Sequence, residues 1–198
     1  MYLKEIWRYP VKSMAGESLQ RARLTELGLA GDRIFHVRSG QGRVVTSRTH
    51  PRLLGHKGTD AIEPAELEDI AGPGARLVRD ETARRFDVLP LLVATDGAIE
   101  AFGRDSRRLR PNLIIGAVAG LMERQWPGHK LRIGSAVIDM DSLRGRCVMT
   151  TFDPDTLRQD LNVLKDIVRR FDGELALNAA VETPGLLEVG MPVELLEH

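Results

Sequence analysis

A single cysteine, Cys147, stands among 198 residues. One thiol excludes an internal disulfide framework and any cysteine-rich zinc or iron–sulfur site built from protein ligands alone. Aromatics make up 5% of the chain, leaving little to stack on bases. Lys+Arg equals Asp+Glu at 28 each, so no global field attracts nucleic acid or an anionic membrane. No apolar run approaches the roughly 20 residues of a membrane span, and Met1–Glu5 lacks the basic-then-apolar order of a signal peptide. A cytoplasmic protein with no nucleic-acid and no membrane partner is expected. Also missing are a Walker-type loop, a G-x-G-x-x-G opening a helix, a G-x-S-x-G elbow and H-E-x-x-H. No two of the five histidines have helical metal-ligand spacing. Free-standing hydrolase and nicotinamide-enzyme readings lose their support.

What is present is an arginine bias, 23 Arg against 5 Lys. Arginine is the better bidentate ligand for phosphate and carboxylate, although codon usage explains such a bias equally well. The chain reads as many short strands. Leu3, Ile6 and Trp7 lie in an extended start that ends at Pro10. Arg33–Arg38 and Arg43–Arg48 flank Ser39-Gly-Gln-Gly42 as a hairpin. Strand-like runs follow at Arg76–Arg79, Leu91–Ala94, Asn112–Ile115, Leu131–Ile133, Ala136–Met140 and Arg146–Thr151, with a helical turn over Asp96–Phe102. The tail repeats the hairpin grammar at Leu175–Val181, Leu186–Val189 and Val193–Leu195. One long amphipathic helix is predicted over Thr156–Phe171, with Leu157, Leu161, Leu164, Val168 and Phe171 as its apolar face and Gly173 as its stop. Residues 55–75, rich in Gly, Pro, Asp and Glu, read as a surface loop or a seam. The fold class expected is mainly β (α+β), a barrel of short strands with one good helix.

Cys147 sits in Leu143-Arg-Gly-Arg-Cys-Val-Met-Thr150, with two guanidinium groups within three residues. Cations beside a thiol favour the thiolate, the form that attacks or binds a soft metal. On a regular strand Cys147 would face away from Arg146, and Gly145 can supply a bulge that re-aims the side chains. A lone cysteine is more often a small buried hydrophobe, so the window alone does not decide. A second set of cations occupies turns and strand ends: Lys12 with Ser13, Arg33, Arg48, Arg52, and Arg110 before Pro111-Asn112. Each alone reads as a solvated surface charge; together they can cradle a phosphorylated anion.

Seven ordered stretches carry a resemblance. Tyr9-Pro-Val-Lys-Ser13, Leu24–Arg33 and Thr46–Leu53, then Leu109–Ile115, Leu131–Gly134, Arg146–Thr156 and Pro184–Gly190, closely resemble MOSC-domain proteins (molybdenum cofactor sulfurase C-terminal). The resemblance spans nearly the whole chain except about residues 55–90. It implies a MOSC-type β-barrel over 1–198 as one unit, with a seam near 55–90 between an abbreviated N-terminal β segment (1–54) and a core (91–198). It further implies a molybdenum cofactor, a pterin dithiolene, with Cys147 as catalytic residue and metal ligand. Lys12, Ser13, Arg33 and Arg110 would anchor the cofactor, a polar turn at Thr95-Asp96 would face its phosphate, and Arg146 and Asn178 join the set. Gly145 stands where a small hydroxyl residue is common, and Asn178 where an aromatic is common.

The leading functional expectation is reduction of N-hydroxylated or N-oxygenated small molecules, with electrons from a separate flavin or iron–sulfur partner. An alternative is sulfur relay, with Cys147 carrying a persulfide delivered by a cysteine desulfurase. The family is linked to pyridoxal phosphate through fused desulfurase domains, but Lys12 reads as an anion ligand rather than a Schiff-base lysine, so direct pyridoxal phosphate binding is not expected. The third alternative is a non-catalytic small β-barrel binding module.

Overall fold

The computed structural model describes residues 1–196. In chain order the strands are β1 (Tyr2–Arg8), β2 (Glu17–Leu19), β3 (Arg21–Thr25), β4 (Gly28–Leu29), β5 (Phe35–Arg38), β6 (Val44–Val45), β7 (Arg76–Arg79), β8 (Leu91–Thr95) and β9 (Leu113–Gly116). They continue with β10 (Lys130–Ile133), β11 (Ala136–Gly145), β12 (Glu174–Thr183), β13 (Gly185–Glu188) and β14 (Val193–Leu196). The helices are α1 (Pro64–Ala71), α2 (Asp96–Phe102) and α3 (Asn162–Phe171).

Eight strands form one sheet in the order β14-β10-β11-β12-β8-β9-β1-β2. Its pairs are antiparallel except β8 and β9, which run parallel and are joined through α2. Two three-stranded sheets, β13-β3-β4 and β6-β5-β7, complete the fold. The large sheet curls strongly. A single bridge links Tyr2 to Pro192, and Leu3 N–H donates to the Met191 carbonyl at 2.8 Å. No continuous ladder closes the ring among the described residues, so the expected barrel is a mixed, incompletely closed one.

The main core lines the inside of that curl, with Leu3, Ile6, Leu113, Ile115, Leu131, Ile138 and Leu177 fully buried. Leu3 and Ile6 are three residues apart and would face opposite sides of a regular strand. A register shift between Leu3 and Glu5 in the β1–β9 pair turns both inward. β1 therefore belongs to the same sheet as the strands of the second half of the chain. A second core gathers Val11, Met14, Val37, Val45 and Leu53 beneath Leu67 and Ile70 of α1.

Three local expectations are corrected. Residues 55–75 are not loop throughout, because Pro64 takes a first-turn position of α1 and Leu67, Ile70 and Ala71 form its buried face. Arg146–Thr151 is not a strand. It breaks into a 3-10 turn, Val148–Thr151, in which the Thr150 hydroxyl donates to the Cys147 carbonyl at 2.9 Å and the Thr151 hydroxyl to the Val148 carbonyl at 2.6 Å. The long helix starts at Asn162 rather than Thr156. Upstream, Asp153 captures the Thr156 N–H at 2.9 Å, and Leu157 adopts a left-handed φ of 58°. The buried face is Val163, Ile167 and Phe171, while Leu161 and Val168 are more than half exposed. The leucine-based pattern picked the wrong phase because it began in a non-helical turn.

Ile167→Ala is therefore expected to cost about 2–4 kcal/mol in urea denaturation, since Ile167 is 0% exposed. Val168→Ala should change stability by less than about 0.5 kcal/mol, since Val168 is 57% exposed. Equal costs at the two positions would contradict the observed helix phase.

Candidate functional site

The candidate site is a cavity of about 170 Å³ where β11 ends, β8 begins, and the turns after β1 and β4 converge. Arg144, Gly145, Arg146 and Cys147 all line it. Four consecutive residues cannot share one face of a regular strand. A register shift between Leu143 and Gly145 in the β11–β12 pair breaks the alternation, and β11 ends at Gly145. Cys147, partly exposed, follows in extended backbone and heads the 3-10 turn. The bulge anticipated at Gly145 is thus where the cleft needs it.

Lys12, Ser13, Arg33, Arg110 and Asn178 line the same cavity. All of the sequence-nominated residues except Arg52, Thr95 and Asp96 therefore meet here, although they come from widely separated parts of the chain. Ser13 (φ 72°), Arg33 (φ 52°) and Arg110 (φ 58°) hold left-handed backbone, three of the seven non-glycine residues that do so among the described residues. Such conformations cost free energy and persist where the surrounding structure enforces them, commonly at functional sites.

The enforcing structure centres on Tyr9. Its buried ring carries the Arg110 guanidinium 4.2 Å from its centroid and that of Arg33 at 4.8 Å. Its hydroxyl donates to the Pro111 carbonyl at 3.2 Å. Burial pushes the Tyr9 phenol up to about 12, with Arg110 and Arg33 pulling the other way. Asp32, fully buried, accepts the Tyr9 N–H at 2.8 Å and pairs with Arg33. Asn112 accepts from Arg33 at 3.3 Å and from the Leu92 N–H at 3.1 Å, and donates to the Trp7 carbonyl at 3.2 Å. β1, β8 and the start of β9 are thereby tied to one guanidinium.

The lining is strongly cationic although the chain is neutral. To Lys12, Arg33, Arg48, Arg110 and Arg146 the fold adds Arg85, Arg108 and Arg144; Asp87 is the one carboxylate among the described lining residues. Arg146 donates to the Leu109 carbonyl at 2.6 Å, but its Nε and the Nη2 of Arg110 are buried without a partner. Burial pushes both guanidinium groups down to about 10. They stay charged at neutral pH, at a desolvation cost that an anion would relieve. Asn178 accepts from Arg144 at 3.2 Å and donates to Ser142 Oγ at 3.1 Å, orienting Arg144.

Thr95 and Asp96 lie away from the cavity. Thr95, fully buried, caps α2 by accepting the Ala98 N–H at 3.1 Å and donates to Glu123 at 3.1 Å. Asp96 accepts from the N–H groups of Ala117 at 2.9 Å and Val118 at 3.0 Å. Neither lines the cavity. A Thr-Asp pair at a strand–helix junction is a cap signature, and here the cap is its role. Arg52, grouped with the cations by sequence, pairs instead with Asp69. Missed altogether were Asp87, Arg85 and Arg108, which carry no local signal, and Tyr9 as a platform. The Tyr9-Pro-Val-Lys-Ser13 motif contained that last residue without revealing its role.

Arg110→Met keeps an aliphatic stem on Tyr9 and removes an unpaired buried charge. The ligand-free variant should be as stable as the parent or more stable by up to about 1 kcal/mol, while the rise in melting temperature produced by inorganic phosphate shrinks. Thermal denaturation with and without phosphate checks both signs.

Residues 1–68 match the family model of the MOSC N-terminal beta barrel domain, and residues 96–194 match that of the MOSC domain. Mouse mitochondrial amidoxime-reducing component 1 is 25% identical, covering 97% of this chain and 81% of the relative. Human mitochondrial amidoxime reducing component 2 is 25% identical, covering 96% and 82%. The alignment to the mouse protein runs over 278 positions against 198 residues here, so that relative carries sequence this chain lacks. Among solved structures, the YuaD protein of Bacillus subtilis shares the fold, with a TM-score of 0.60 at 12% identity over 100% of this chain and 96% of that one. With both family models matched in order, and the second covering half the chain, the protein belongs to the MOSC family.

Proposed function

We propose that this protein reduces N-oxygenated small molecules of the amidoxime class at a molybdenum cofactor held in the Cys147 cleft. The observation that carries this reading is the convergence of a partly exposed thiol with a cationic lining in which Arg110 Nη2 and Arg146 Nε lack partners. The donor set fits the group. A thiolate is a soft ligand suited to molybdenum, and unpaired guanidinium N–H groups suit a phosphate oxygen. The names of the related amidoxime-reducing components support the substrate class.

In this reading Cys147 is the protein's ligand to the metal, and Lys12, Ser13, Arg33, Arg110 and Arg146 hold the pterin phosphate. Tyr9 and Asn112 act through the arginines they position. Asn178 holds Arg144 beside the cysteine turn. Bound there, the cofactor would supply the two electrons that cleave the N–O bond, with two protons taken up and water released. The electrons come from a separate flavin or iron–sulfur partner, since one cysteine cannot hold a cluster. The exposed side chains of Val44 and Val88 at the cleft leave an apolar rim for the substrate's carbon framework.

Protein purified from a host that makes the cofactor is expected to contain molybdenum and to reduce an amidoxime to its amidine with a chemical reductant as donor. Cys147→Ala should retain the fold and lose at least about 100-fold of the activity. A Cys147→Ala variant with full molybdenum and full activity would refute the ligand role. A parent protein that takes up no molybdenum but gains one sulfur on Cys147 from a cysteine desulfurase would move the assignment to sulfur relay.

A further inference from the structure

Asp87 lies in the run between the 3-10 turn Ala83–Arg85 and β8, a stretch without regular structure. Three cations from distant parts of the chain face it. Lys12 Nζ donates to its Oδ1 at 2.6 Å, while Arg48 Nη2 and Arg144 Nη2 lie 3.4 Å and 3.8 Å from its Oδ2. Lys12 also donates to the Arg85 carbonyl at 3.0 Å, so one ammonium fastens this run at two points. Burial would raise the Asp87 carboxyl, but the Lys12 hydrogen bond and the three positive charges hold it below the usual carboxylate range. Asp87 is ionised at neutral pH, placed where the cleft's cations converge.

Three cations meeting on one carboxylate need a negative charge between them. We propose that Asp87 is a built-in stand-in anion. In the free protein its carboxylate occupies the charge position of an oxyanion ligand and ties residues 86–90 to the cleft. An incoming phosphate group held by the cleft's arginines takes Lys12 from Asp87, and Asp87 with its neighbours is released. The carboxylate thereby sets a threshold. A weakly hydrogen-bonding monoanion such as chloride does not displace it, whereas a dianion with several acceptor oxygens does. This inference rests on the cleft being an anion site and does not depend on which cofactor carries the phosphate.

The test uses the full chain with inorganic phosphate as probe, at constant ionic strength. Calorimetry on the parent, Asp87→Asn and Lys12→Met is combined with amide hydrogen exchange over residues 86–89. Asp87→Asn keeps the shape and removes the competing charge, so it should bind phosphate at least about fivefold more tightly than the parent. Lys12→Met should bind it less tightly than the parent. In the parent, saturating phosphate should speed exchange at 86–89, and in Asp87→Asn exchange should be fast without phosphate. An exposed substitution that merely loosened the run would speed exchange without tightening phosphate. If the parent binds phosphate and Asp87→Asn binds it no more tightly, the stand-in role is overturned while the anion cleft survives. If neither protein binds phosphate, the anion cleft falls and the stand-in role falls with it.

Discussion

Like-charge repulsion is the constraint on which this structure turns. A neutral chain has gathered eight cationic side chains around one cavity with a single carboxylate among the described lining residues. Close positive charges in a partly dry cleft repel strongly and would scatter without specific restraint. The restraint is Tyr9, whose ring lies under both Arg33 and Arg110, with Asp32 beside Arg33 and Asn112 bonded across three segments. These contacts fix where the charges point and leave the innermost N–H groups unsatisfied. Buried donors without a protein partner call for an explanation, and these two belong to arginines that line the cavity.

The fold supplies this arrangement through its irregularities. A regular β11 would have hidden either Arg146 or its neighbours; the shift before Gly145 and the 3-10 turn after Cys147 put four successive residues on one wall. Left-handed backbone at Ser13, Arg33 and Arg110 does the same for the opposite side. In both places local regularity gives way to the direction of a side chain, and the free-energy cost is carried by the packed sheet behind. The shift in β1 that turns Leu3 and Ile6 inward shows the same device used for the core.

Much of the strand placement along the chain was legible because turns announce themselves. The glycine-bearing hairpin between β5 and β6 and the Gly134-Ser135 turn between β10 and β11 both follow from local chemistry. Helix phase was not legible. Leu157 and Leu161 continue a plausible 3–4 spacing, yet Asp153 captures the backbone at Thr156 and shifts the start by six residues. The short α1 was hidden because one turn of apolar residues within an acidic, glycine-rich stretch gives little periodic signal. Thr95-Asp96 misled in another way. Cap residues and phosphate-binding residues are the same residue types, and only the position of the cavity separates the two roles.

By itself the sequence determined the β-rich class, the presence of one lone thiol flanked by arginines, and the set of turn-borne cations, because these rest on composition and on interactions between near neighbours in the chain. Tertiary structure alone decided which cations meet the thiol, that Arg52 turns away to Asp69, and that Asp87 and Tyr9 belong to the cleft. Charge convergence depends on contacts between residues as far apart as Lys12 and Arg144, and no local propensity encodes the closing of so long a loop.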